Sequence, residues 1–139
     1  VEIRYGVLVD VATKVLNSEP LDVSMGFANV IWQGDANDLI LRCFNVVSSP
    51  ALPINVTGAE TLSIRELANK FGEIFGKKPI INGMEQPTAL LSNVGNLYER
   101  VGKPRVPLDQ VILWTAEWVS SEKSLLGKPT HFEVRDGNF

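Results

Sequence analysis

Between residues 5 and 16, apolar Val7, Leu8, Val11, Ala12, Val15 and Leu16 recur at a 3.6-residue period, and Asn17-Ser18-Glu19-Pro20 supplies a stop. This spacing predicts a helix with one buried face. Leu21-Asp22-Val23-Ser24-Met25 alternates instead, as a half-buried strand does, and Gly26 releases the chain afterwards. Residues 27–33 read as a second short extended piece. Gly34-Asp35-Ala36-Asn37 then opens a helix carrying Leu39, Ile40, Leu41, Cys43, Phe44 and Val47. Ser48-Ser49-Pro50-Ala51-Leu52-Pro53 is a loop by composition, since proline blocks a helix and pushes its predecessor to extended geometry. Ile54-Asn55-Val56 is expected to be a strand.

The second half carries the sharper signals. Ser63-Ile64-Arg65-Glu66 has the form of a capping box, in which the Ser hydroxyl takes a first-turn N–H and the Glu reaches back. A helix is therefore expected to start there, bury Ile64, Leu67, Ala68, Phe71, Ile74 and Phe75, and end at Gly76. Pro79-Ile80-Ile81-Asn82 reads as a strand. Ser92-Asn93 caps a helix with Val94, Leu97, Tyr98 and Val101, ended by Gly102 and Pro104. Residues 108–119 form the last helix, with Val111, Ile112, Thr115, Trp118 and Val119 sharing a face. Residues 120–127 are linker-like, and His131-Phe132-Glu133-Val134-Arg135 alternates as an edge strand or a docked tail does.

Composition narrows the picture. The 139 residues make about one domain, and with 45% hydrophobic and 21% charged residues the chain has the balance of a soluble globular protein. No stretch reaches the roughly 20 apolar residues of a membrane helix. A net charge of −3 gives no general attraction for nucleic acid. Cys43 is the one cysteine, so an internal disulfide and a cysteine-based zinc site are both excluded, and a cytoplasmic setting is expected. No signal-peptide pattern is present, and an opening on Val1 suits a fragment of a longer protein.

Four blocks, taken in order, carry a family resemblance over most of residues 27–119. They are Val30-Ile31-Trp32-Gln33-Gly34-Asp35-Ala36; Asn55-Val56-Thr57-Gly58 with Thr61-Leu62-Ser63-Ile64-Arg65-Glu66-Leu67-Ala68; Ser92-Asn93-Val94-Gly95-Asn96-Leu97-Tyr98-Glu99-Arg100-Val101-Gly102; and the segment from Pro107 to Val119, with its Thr115-Ala116-Glu117-Trp118 run. Together they resemble the C-terminal portion of the NAD-dependent epimerase/dehydratase family, the extended short-chain dehydrogenases. The resemblance implies an α/β chain: a substrate-binding lobe plus the last strand and helix elements of a Rossmann-type domain, with short strands and about five helices. It implies a substrate-binding portion over residues 1–120 and an extended tail over 121–139. It also implies NAD or NADP for the full-length protein, and a missing N-terminal Rossmann domain as partner.

The family's cofactor and catalytic motifs are not found in these 139 residues. Dinucleotide binding needs a glycine-rich turn from strand to helix, and none is present. The catalytic Tyr-x-x-x-Lys pair is absent too, because Val9 and Gly102 stand four residues after Tyr5 and Tyr98. No catalytic, cofactor-binding or metal-ligating residue is assigned, and the chain alone is expected to be inactive. Family members that act on nucleotide sugars commonly place arginines where this chain has Ala28-Asn29 and Pro87-Thr88-Ala89-Leu90-Leu91.

The substrate candidates are Asn29, Trp32, Gln33, Asp35 and Arg105. The first four offer amides, an indole surface and a carboxylate for hydroxyl recognition. The alternatives are core packing for Trp32 and helix capping for Asp35. Arg105 belongs with Arg100 and Lys103 to a basic cluster that serves either an anion or the end of a helix. Trp114 and Trp118 read as core packing, with stacking on a sugar as the alternative. Cys43 reads as an inert core thiol and His131 as a surface residue. The expected function is the substrate-binding portion of a sugar or sugar-nucleotide epimerase/dehydratase-like enzyme, with a small-molecule substrate. The alternative is a self-contained noncatalytic binding or scaffolding module, and a homodimer stays open. The elements that in the family pack against the missing domain, residues 54–56 and 39–47, are expected to leave an apolar face exposed or buried by another chain.

Overall fold

Helix α1 (Val7–Leu16) is the hub of the structure, because its apolar residues meet neighbours on more than one side. The computed structural model describes residues 1–128 and 130–135. Leu8, Val11 and Ala12 are fully buried, and they pack against α3 (Ile64–Phe75) and α5 (Leu108–Ser120). From α3 come Ile64, Leu67, Ala68 and Phe71, and from α5 Val111, Ile112, Ala116 and Val119. Each such Leu, Val, Ile or Phe stabilises the fold by about 1.5–3 kcal/mol relative to leaving it in water. The chain is mixed α/β, with five α-helices and four short strands among its described residues.

The strands form two separate pairs. β1 (Pro20–Asp22) runs parallel to β4 (Ile80–Asn82), with Leu21 opposite Ile81. β2 (Phe27–Ala28) runs antiparallel to β3 (Leu62–Ser63), with Phe27 opposite Ser63. β1 is shorter than the alternation over 21–25 suggests, since the Asp22 carboxylate accepts from the Ser24 amide at 2.6 Å and turns the chain. β3 leads directly into α3. There the Ser63 hydroxyl accepts from the Glu66 amide at 3.2 Å, and at the other end Gly76 takes the left-handed conformation with φ 64°.

Helix α2 (Gln33–Cys43) continues through a 3-10 turn over Phe44–Val46. It buries only Asp35 and Leu39, while Ile40, Leu41, Phe44 and Val47 are 50–77% exposed. Cys43 is half-buried beside a groove with Ile40, Val46 and Val47, so it is not the core thiol its sequence pattern suggests. Residues 54–56 form no strand. Among the described residues no strand lies beside them, and a backbone segment becomes a strand only when a partner takes its hydrogen bonds. Helix α4 (Gly95–Arg100) starts where the Asn93 side chain accepts from the Gly95 amide at 2.8 Å.

The segment over 130–135 docks without forming an edge strand. Phe132 packs on the core, the Thr130 hydroxyl donates to Asp10, and the Arg135 guanidinium donates to Thr88 Oγ1 at 2.6 Å. His131 is exposed, in keeping with its reading as a surface residue.

Candidate functional site

The extended stretch after β2, the turn at residues 58–60, α4 and the loop entering α5 enclose a cleft of about 230 Å³. Trp32, Gly58, Tyr98, Lys103, Arg105 and Pro107 are among its lining residues. The walls come together through a few specific bonds. Asn29 donates from Nδ2 to the Gly58 carbonyl at 3.2 Å and to the Ser92 carbonyl at 2.8 Å. Its Oδ1 accepts from the Ser92 amide at 3.3 Å. Asn29 thus staples the cleft wall from behind and spends its amide there. At the same wall Gly58 lies so close to the 30–32 stretch that a Cβ would sit 2.2 Å from the Val30 carbonyl oxygen.

Asp35 holds the opposite side. It is 7% exposed in the first turn of α2, and its Oδ2 accepts from the Val106 amide at 2.9 Å. The carboxylate fixes the loop that carries Lys103 and Arg105 and does not cap its own helix, whose N-cap is Trp32. A buried carboxylate without a partner would cost several kcal/mol, so this bond holds both loop and helix in register. Arg105 lies 4.0 Å from Asp38, which pairs more closely with Arg42 at 2.7 Å. Arg105 and Lys103 are both exposed, so their charges reach the cleft mouth through water.

Tyr98 accepts from the Ala59 amide at 3.2 Å, and the Lys103 ammonium lies 5.6 Å from its ring centroid. That contact is a cation over a ring face, not a lysine placed against a phenol oxygen. The cleft therefore offers apolar walls, two cations and the Glu60 carboxylate. Of the sequence candidates, Trp32 and Arg105 line the cleft, Asn29 and Asp35 hold its walls, and the exposed Gln33 lies outside it. Tyr98 and Gly58 were not among those candidates. Glycine at a turn was the one available sign for Gly58, and Tyr98 had none beyond its place beside the helix cap.

Three of the five helix starts offer no open cradle for a phosphate. The Ser63 hydroxyl already takes a first-turn amide of α3, α2 begins at the bulky Trp32, and α5 begins at Pro107. Among the described residues no group of His, Cys, Asp and Glu is arranged to hold a metal ion, and no helix is long and apolar enough to cross a membrane.

This mixed α/β fold matches part of the fold of several solved sugar-nucleotide epimerases. Among solved structures, the chain is similar to UDP-glucuronic acid 4-epimerase from Bacillus cereus in complex with NAD. The TM-score is 0.66 at 15% identity, over 84% of this chain and 40% of that one. A UDP-galactose 4-epimerase matches with TM-score 0.63 at 22% identity, over 86% of this chain and 41% of the other. UDP-glucose 4-epimerase from Thermus thermophilus, complexed with NAD, matches with TM-score 0.59 at 19% identity, over 80% of this chain and 39% of that one. The chain thus spans about two-fifths of the length of these structures. No protein-family model matches it, and no curated protein does.

Proposed function

We propose that the chain is the substrate-binding portion of an NAD(P)-dependent sugar or sugar-nucleotide epimerase/dehydratase-like enzyme, with its cofactor and catalytic residues on a preceding Rossmann domain. The observation that carries this reading is the likeness to about two-fifths of several UDP-sugar epimerases, together with the uncovered apolar face of α2. On this reading the cleft holds a sugar derivative against Trp32, and Lys103 and Arg105 attract its anionic group. The enzyme would be soluble and cytoplasmic, and NAD would be held by the domain this chain lacks.

The encoding gene tests the proposal. A glycine-rich turn and a Tyr-x-x-x-Lys pair are expected upstream of Val1. The longer protein should bind NAD(P)⁺ and protect the amides of Lys103, Arg105 and Val106 from exchange when a UDP-hexose is added. A start codon at Val1, or a longer protein that binds neither ligand, would overturn it in favour of a self-contained binding module.

A further inference from the structure

All three tryptophans of the chain gather at one surface groove of about 340 Å³, outside the cleft except for the shared ring of Trp32. The other lining residues are Ile3, Glu117 and Lys123. Trp32 and Trp114 meet edge to face, with centroids 5.6 Å apart and planes at 63°. Trp114 keeps 37% of its surface exposed, which corrects its reading as core packing. Trp118 is fixed by its Nε1 donating to the Ser124 carbonyl at 3.1 Å, and the Lys123 ammonium stands 4.9 Å from its ring centroid. Neither Glu117 nor Lys123 forms an ion pair among the described residues.

We infer that this groove is a saccharide-binding site for a neutral pyranose ring. Such a ring has an apolar C–H face and a rim of hydroxyls, and the groove matches both. The exposed indole of Trp114 takes the face, with Trp32 as the wall beside it, Glu117 accepts from hydroxyls and Lys123 donates to them. A purely apolar ligand would strip water from Glu117 and Lys123 and return no hydrogen bond. A cationic ligand would compete with Lys123, which already covers the Trp118 ring. The site does not depend on the cleft's function, and the two share only Trp32 among their lining residues.

Saturation-transfer NMR on the whole chain with methyl β-D-glucopyranoside tests the inference, with cyclohexylmethanol and tetramethylammonium as controls. Transfer to the glucoside ring protons is expected, with a tryptophan fluorescence titration that saturates in the millimolar range. Trp114→Ala should weaken binding about tenfold, the loss of one stacked ring. Glu117→Gln should weaken it as well, which keeps the test valid if Trp114→Ala fails to fold. Arg105→Ala, in the cleft, should leave the titration unchanged. The inference is overturned if cyclohexylmethanol or tetramethylammonium binds as well as the glucoside. It is also overturned if neither groove variant weakens binding, or if Arg105→Ala abolishes it.

Discussion

Gly58 shows how much of the cleft depends on one missing side chain. Its φ is not in the left-handed region, so the need for glycine is close approach: a Cβ would meet the Val30 carbonyl oxygen at 2.2 Å. Gly58→Ala must push the wall away from the 30–32 stretch, and a loss of about 1–3 kcal/mol is expected in urea unfolding, the usual cost of overpacking. A second residue-level test concerns charge. Arg65 grips Glu85 with Nε–Oε1 2.5 Å and Nη2–Oε2 3.0 Å, and this guanidinium lowers the Glu85 carboxyl to about 2. Because the folded value lies below the ordinary one, the pair's contribution is complete above about pH 4.3 and is lost as pH falls towards 2. Carboxyl ¹³C NMR should place the Glu85 midpoint near 2, and Arg65→Gln should return it to the ordinary carboxylate range.

Helix α3 is the element most directly written in the chain. Ser63 and Gly76 mark its ends, and both perform the local tasks their chemistry allows: one oxygen takes an orphan amide, and one residue lacks the Cβ that opposes φ 64°. Ser63→Ala is expected to cost about 1 kcal/mol in thermal unfolding. Gly76→Ala should cost about 1–2 kcal/mol through backbone strain alone, since nothing lies within 4 Å of the added carbon. Helices α1 and α5 were legible for the same reason, a period of 3.6 with local stops. The strands were less so. β3 was missed because its two residues are defined by pairing with Phe27 and Ala28, more than thirty positions away. Residues 54–56 carried a strand-like composition and formed none, for want of a partner. The site divides similarly: Trp32 and Arg105 could be picked out by residue type, whereas the work of Asp35 depends on Val106, 71 positions distant.

At the scale of the whole molecule, the unbalanced feature is α2. A helix that closes a domain buries a continuous apolar stripe. This one leaves Ile40 at 50% and Leu41 at 67% exposed, with Phe44 of the continuing 3-10 turn at 72%, while its polar Asp35 is buried. Such a face is consistent with a lobe that packs on the preceding domain proposed above, and substitutions there separate the two situations. In the isolated chain Phe44→Asp touches an exposed ring, so unfolding free energy should change by no more than about 0.5 kcal/mol, while light scattering reports less self-association. In the longer protein the same change should cost at least the about 1.5–3 kcal/mol of a buried phenyl group, because aspartate would be trapped between the two parts. Equal effects in both contexts would mean that nothing covers α2, and the lobe would then have to be a free-standing module.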